Sequence, residues 1–530
     1  MKKLFTIVAF ALSSLSLMAE EYTCPLKIFV EENIATNPTQ TVTATAQAQA
    51  NGKYALSLKN FKMGAQAVGN IEVKDIDAYT ASNNVVMLST QQTIQITDGD
   101  DPSVKTWMGP GLGNVPILLR GEINDTTMNA ILNISMDDPE SSMNVRVELG
   151  DVTNIGQIPN SNFETFHEEN KSSLTKENQA DHWHSFMNCT GRYANTAQAT
   201  HCWQSADTPK GSKGNSSLEI KSRAVKVMGM TVASANGTVT TGRIQADKMD
   251  ANSTSNCSFL DITKDTVDKK GDPYYTLLNS KPDAIEVWVK YTKGARNDDN
   301  KDNVHATISA AITDGSYYQD PTDTVYTNVV ATAKKDNIES TGTWEKIDVP
   351  FNYTSNTIAP KAILVTISTC SVPGGGSLSD KDGEQDDMFI DDLSLVYNAE
   401  MTSLKFKGQA LEFNEEDQMY SASCEGKVTP ADIEVETNSK SAYVTKSLFD
   451  YEGNVVAIIN VVSNDLKTAN RYVLLIEGAT TGIKAPQSVT LPNGIQAIYN
   501  LAGQQVGSMT PGQVYIVKTS DGQTKKVIKK

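Results

Sequence analysis

Several stretches of this chain return an apolar side chain at every second position, and that spacing constrains the fold more than any other feature. In Tyr54-Ala55-Leu56-Ser57-Leu58-Lys59-Asn60-Phe61, and again in Ile285-Glu286-Val287-Trp288-Val289-Lys290-Tyr291, aliphatic residues alternate with polar, charged or bulky ones. Successive side chains of a strand point to opposite faces, whereas a helix would need apolar residues three and four apart. Tight-turn signals such as Asn51-Gly52 and Asp98-Gly99 interrupt the pattern, as hairpins require. An all-β fold follows. With 530 residues the chain is too long for one hydrophobic core, so several domains are expected.

Met1-Lys2-Lys3, the apolar run Leu4 to Leu17 and the small residue Ala19 have the parts of a secretory signal over residues 1–19, too short for a stable span. The mature chain is expected to begin near Glu20 and to be secreted or held at the cell surface. No later stretch is apolar for long enough to make a transmembrane helix. Cys24 follows Glu21-Tyr22-Thr23, polar residues unlike those before a lipidated cysteine. The 46 basic and 63 acidic residues give a net charge of −17, which repels phosphate backbones and anionic lipid and argues against nucleic-acid partners. Six cysteines are too few for a disulfide scaffold, and Cys189 with Cys202 is the pair expected to bridge if any does.

Four segments resemble known modules of exported proteins. Tyr54 to Phe61, Val68-Gly69-Asn70-Ile71-Glu72-Val73 and Val115 to Gly121 resemble the calycin-like domain, whose shape is that of a lipocalin barrel, and place it over 22–152. Such a barrel either holds a ligand or is filled by its own side chains. Ile158-Pro159-Asn160-Ser161-Asn162-Phe163-Glu164 and Asp387 to Tyr397, with Gly214 to Ser222, Ala235 to Gly242 and Gly374-Gly375-Gly376-Ser377 between them, resemble a carbohydrate metabolism domain of exported proteins. That family is a jelly-roll β-sandwich similar to calcium-containing carbohydrate-binding modules, here over 155–398. Met401 to Gly408 and Asn470 to Ile476 resemble a small cadherin-like or immunoglobulin-like sandwich over 400–477. Ile498 to Val506, Pro511 to Val517 and Lys525 to Lys530 are similar to the C-terminal sorting domain of type IX secretion, over 486–530, and imply passage through outer-membrane secretion machinery; a plain terminal hairpin would use the same residues.

Candidate site residues come from two sources. In the related sugar-binding modules a glutamate of the first strand and an aspartate of the last share a structural calcium, and Glu164 and Asp391 match those positions. By alternation Asp391 is in phase with Phe389, Leu393 and Leu395, so its carboxylate is expected on the apolar side, where it needs a cation, a basic partner or backbone donors. Sugars are gripped by aromatic faces flanked by hydrogen-bonding groups. Trp288, beside Glu286 and Lys290, is expected to face away from the core, either as a stacking platform or beneath a covering loop. Tyr317 and Tyr318 form a second aromatic candidate, while Trp344 reads as a strand-end residue. Asp181-His182-Trp183-His184, Cys189 and His201-Cys202-Trp203 match no standard zinc spacing. The acidic run Asp380 to Asp387 lacks the ligand spacing of an EF-hand.

No Gly-x-Ser-x-Gly elbow, phosphate loop or metalloprotease helix is present. The expected function is glycan or polysaccharide binding by the central domain without catalysis. Its rivals are a glycoside hydrolase with paired carboxylates and a structural or adhesive surface protein.

Overall fold

The computed structural model describes residues 19–34, 40–140, 142–264, 266–295, 305–482, 495–499, 514–519 and 524–528. The expected leader falls outside them except for residue 19, as do 486–494, 500–513, 520–523 and 529–530 of the expected sorting segment. The architecture is nearly all β.

Glu20–Val30 serves two neighbours. Its first half pairs with Gln40–Ala48, and Leu26 to Val30 pair with Met143–Leu149. Because the first long strand meets the last, eight antiparallel strands close into a barrel, with Asn33–Ile34 as a short appendage. Period-2 alternation places Leu26, Ile28, Leu56, Ile71, Leu88, Leu119 and Val147 in one buried cluster.

The central domain is a sandwich of two sheets. One, five-stranded, runs Cys202–Ser205, Ser217–Lys221, Asp387–Val396, Ala284–Thr292, Trp344–Pro350; the other, six-stranded, runs Thr238–Thr240, Ala362–Ser368, Ala306–Thr313, Val329–Ile338, Asn352–Tyr353, with Thr276–Leu277 also pairing with Ala362–Ser368. Leu218, Ile220, Val287, Val289 and Ile390 of the first pack on Val239, Ile308, Ala310, Val365 and Ile367 of the second. Trp183 and Phe163 meet at 5.3 Å in the same core. A three-stranded sheet of Arg243–Gln245, Cys257–Leu260 and Tyr318–Asp320, and a hairpin of Arg223–Val227 and Met230–Ala235, are added to this sandwich.

The last long strand of the core departs from simple alternation. Met388 and Ile390 are in the core, but so are Leu393 and Leu395, so the phase changes between 390 and 393. A register shift on the paired strand and a left-handed backbone at Asp392, φ 45°, mark the bulge. Asp391 therefore lies opposite Trp288 on the outer side, not on the apolar side expected, because one extra residue reverses strand parity. It is still fully buried.

Residues 401–480 form a smaller sandwich. Leu404, Phe406 and Ile433 of a three-stranded sheet pack on Val455, Ile459, Leu474 and Ile476 of a five-stranded one. The final described strands, Ile495–Tyr499, Val514–Thr519 and Thr524–Ile528, make a separate three-stranded sheet.

The three larger units share apolar seams. Ala81 of the barrel packs with Leu260, Tyr275 and Leu364 of the central sandwich, and Leu118 and Ile131 pack with Val462 and Leu466 of the third unit. Arg120 lies where all three meet, 3 % exposed. Its guanidinium donates to Asn464 O at 3.0 Å, Asn464 Oδ1 at 3.2 Å, Tyr443 Oη at 3.2 Å, Asn279 Oδ1 at 2.9 Å and the Asn279 carbonyl. All six cysteines are free thiols. The expected bridge is not formed, since Cys202 belongs to the main core and Cys189 to a small cluster with Ile244 and Ala246.

Candidate functional site

A cleft of about 510 Å³, the size of an ordinary small-ligand site, lies over the outer face of the six-stranded sheet. Strand geometry explains its floor. Ile308, Ala310, Val365 and Ile367 turn into the core, so Thr307, Ser309, Thr366 and Ser368 turn outward into the cleft. Register sets them side by side: Thr238 is opposite Ser368 and Ser368 opposite Thr307, while Thr366 is opposite Ser309 and Ser309 opposite Lys334. Thr238 Oγ1 and Ser368 Oγ are 3.1 Å apart. Phe186, Tyr193, Met249 and Val225 contribute to the walls. The one acidic residue among the described residues of the lining, Asp320, accepts a hydrogen bond from Ser309 Oγ at 2.8 Å. Donors and acceptors over apolar walls suit a ligand with many hydroxyls and some C–H surface.

The expected aromatic residues lie elsewhere. Trp288 is half-buried on the outer face of the five-stranded sheet, opposite Lys346 and Asp391. Glu286 shares that face and pairs with Lys346 at 2.5 Å. Tyr317 is exposed, stacks on Phe259 at 5.7 Å and donates to Gln319 Oε1 at 2.8 Å. Tyr318 is buried against Tyr326, so it has no free ring face to offer; neighbours on an extended strand point opposite ways.

Glu164 and Asp391 are brought near each other. Glu164 accepts the N–H groups of Asn215 and Ser216 at 3.0–3.1 Å. The backbone at Gly214 runs so close that a Cβ there would lie 2.0 Å from Glu164 Oε1, so a side chain at 214 would push the Glu164 carboxylate out of its place. Asp391 Oδ1 accepts from Asp392 N at 2.8 Å, whereas Oδ2 is buried with no hydrogen-bond partner. Burial, then the charges of Asp392 and Glu164, push the Asp391 carboxyl up to about 6. An orphaned buried oxygen beside a second carboxylate fits an oxygen-seeking cation, although Glu164 is already satisfied by backbone.

The histidine-rich segment did not assemble as its cysteines suggested. His201 is buried, its ring contacting Lys221 O at 3.0 Å, and burial pulls its pKa down to about 4. His184 instead joins a buried file of acids and imidazoles that sequence reading missed. Glu169 Oε2 lies 3.8 Å from His167 Nε2, which is 3.5 Å from Asp268 Oδ2, which in turn is 3.5 Å from His184 Nε2. His167 Nδ1 contacts Asp181 Oδ1 at 2.9 Å. Burial disfavours the imidazolium, but Glu169, Asp181 and Asp268 outweigh it and raise the His167 pKa to about 9. These groups form a line rather than a shell, and among the described residues no set of three or more His, Cys, Asp or Glu is arranged to hold a metal ion.

Residues 18–150 match the calycin-like β-barrel domain. No curated protein matches the chain. Solved structures similar to it include a candidate glycoside hydrolase of Bacteroides vulgatus ATCC 8482, 17 % identical over 44 % of this chain and 96 % of that one, TM-score 0.32. A second candidate glycoside hydrolase, from Bacteroides thetaiotaomicron VPI-5482, is 14 % identical over 54 % of this chain and 87 % of that one, TM-score 0.31. A candidate outer membrane protein of Bacteroides fragilis NCTC 9343 is 10 % identical over 66 % and 97 %, TM-score 0.16. At these scores no function passes from them to this chain. Among the described residues no helix is long and apolar enough to cross a membrane.

Proposed function

We propose that this is a secreted or surface-displayed glycan-binding protein whose central jelly roll takes sugar in the cleft over its six-stranded sheet. The observation that carries the reading is the floor of Thr238, Thr307, Ser309, Thr366 and Ser368. Thr307, Ser309 and Thr366 donate within the protein, to Lys335 O, Asp320 and Thr240 Oγ1, and Thr238 bonds Ser368, so the floor offers fixed acceptor oxygens to the hydroxyls of a sugar ring, while Tyr193 and Phe186 supply C–H contact. Hydrolysis is disfavoured in this cleft. A glycosidase needs two carboxylates flanking the bond, and among the described residues Asp320 is the one acid of the lining. Calcium held by Glu164 and Asp391 would be structural, clipping the entry of the domain to its last strand. Trp288 and Glu286 lie on the other sheet and belong to a separate sugar-facing surface.

The test is a glycan array probed with the full chain and with Tyr193→Ala and Ser309→Val. Signals that vanish in the two variants while their melting stays near that of the parent support the cleft. A blank array in calcium-containing buffer, or signals unchanged by both substitutions, would overturn it.

A further inference from the structure

The large apolar side chains that stand most exposed among the described residues are not scattered. Met228 is 96 % exposed, Leu174 94 %, Val325 92 %, Met230 67 % and Met249 64 %, and the next reaches only 48 %. These five come from four separate segments, and each segment adjoins the cleft. Met249 is part of its wall. Met228 and Met230 are at the tip of the hairpin whose register partners Val225 and Ala233 line it. Val325 follows the wall residue Pro321, on a loop tied to the Met249 segment by Thr254 Oγ1, which donates to Asp323 Oδ2 at 2.7 Å. Leu174 is in the turn between Phe166–Ser172 and Thr175–Ala180, and Lys171 of that hairpin donates to the Asn195 carbonyl, between the wall residues Tyr193 and Thr196. Single exposed apolar residues are ordinary. A collar of the five most exposed around one opening marks a surface that something covers.

Local structure does not ask for these residues. The turn at Met228 and Gly229 has φ of 51° and 79°, a two-residue hairpin turn for which Asn-Gly is favoured, yet it carries a long thioether into solvent. A soluble polysaccharide lying in the cleft would leave all five ends in water. A protein partner would need a well-packed complementary surface, whereas these ends are on separate turns and Met228, Met230 and Met249 are unbranched and adaptable. A fluid apolar phase meets them without that fit. The rim mixes Lys226 and Lys248 with Asp247, Asp250 and Asp323, and the chain carries a net charge of −17, so the phase that suits it is an uncharged or zwitterionic lipid layer and not an anionic one.

We propose that the cleft is the headgroup site for an uncharged glycolipid held in a bilayer, and that the collar dips into the apolar edge of that bilayer around it. The proposal rests on sugar being the occupant of the cleft and adds what that sugar is attached to. Insertion is shallow, with the apolar ends entering the boundary between headgroups and acyl chains. Sugar and membrane then act together, because the collar holds the cleft in the plane where lipid-borne sugars are concentrated.

The experiment is sedimentation of the full chain with phosphatidylcholine vesicles, alone or carrying digalactosyldiacylglycerol, glucosylceramide or galactosylceramide, with phosphatidylglycerol vesicles as the anionic control. The free sugar headgroups are titrated in parallel. The expected result is binding to at least one glycolipid vesicle about tenfold or more tighter than to its headgroup in solution, with weak binding to phosphatidylcholine alone and none to phosphatidylglycerol. The double variant Met228→Ser, Met230→Ser should lose about tenfold on that vesicle and keep its affinity for the free headgroup. Tyr193→Ala should lose both. Melting near that of the parent confirms folding, and Met249→Ser with Val325→Ser replaces the double variant if it fails to fold, with the same loss expected. Absence of binding to every glycolipid vesicle, equal affinity for free and vesicle-borne headgroups, or parent binding in the serine variants overturns the proposal. So does vesicle binding that persists in Tyr193→Ala, which would assign the membrane to the collar without sugar, or a dimer that dissociates in the double variant, which would assign the collar to a second copy. A positive glycan array without vesicle binding removes this proposal and leaves sugar in the cleft, whereas a blank array without vesicle binding removes both.

Discussion

Replacing Arg120 with methionine should weaken the junction at which the three units meet and make their unfolding less cooperative. Methionine keeps much of the side-chain volume and removes every donor. Asn464 Oδ1 retains a second donor in Lys281 N at 2.8 Å. The Asn464 carbonyl, the Asn279 carbonyl and Asn279 Oδ1 lose the bonds that bring them to the junction. Each stranded buried acceptor costs roughly 1–3 kcal/mol. Against that, the substitution relieves the burial of a cation whose hydrogen bonds all go to neutral acceptors, a return of several kcal/mol. The net loss expected is on the order of 3–5 kcal/mol. It should fall on the seams and not on any one core, because the contacts join 120, 279, 443 and 464. Scanning calorimetry of the full chain should show the parent's main transition splitting or broadening, with the first component moved down. Arg120→Lys should behave nearly as badly, since an ammonium cannot span acceptors in three directions as a guanidinium does. A methionine variant that melts in the same single transition within a degree of the parent would refute the reasoning.

Three further outcomes are expected. Calcium at millimolar levels should raise the melting temperature of the parent and not of Asp391→Asn, because a ligand of the folded state stabilises it by mass action; equal melting in chelator and calcium removes the cation. The His167 pKa is raised from 6.5 to about 9, so its contribution is full below the unfolded value and lost as pH rises through the folded one; melting should fall between pH 7 and pH 10 more steeply for the parent than for His167→Gln, and parallel curves would sink the idea. A chain ending at Gly482, beyond the last strand of the third unit, Ala469–Thr480, should fold with the parent's core stability yet fail to reach the cell surface, as surface labelling of cells expressing both would show.

Strand content was legible wherever one face of a sheet is buried. Ile285, Val287, Val289 and Tyr291 alternate in the sequence and lie in the core, and Trp288 faces outward as that alternation requires. The phase of Asp391 was not legible, since the bulge at Asp392 is a one-residue change in pairing with no Gly or Pro to announce it. The cleft escaped for another reason. Its floor is drawn from residues near 238, 307 and 366, small hydroxyls that mean nothing until the sheet sets them side by side. The file through His167 and Asp268 was hidden likewise: a lone histidine followed by Glu168-Glu169, and an aspartate about a hundred residues later, carry no spacing that points from one to the other.

The closure of the barrel also has a bearing on how the protein is made. Leu26 pairs with both Gln40 and Leu149, residues separated by nearly the whole of that unit. During synthesis the opening strand therefore waits, the closing edge from Leu26 to Val30 unpaired, until Met143–Leu149 has been added. Non-local closure of this kind is slow, and the waiting sheet presents two unprotected edges that invite pairing with another chain. A nascent chain stalled before Met143 should consequently be the form most prone to self-association, and the form a holdase would recognise by its open edges.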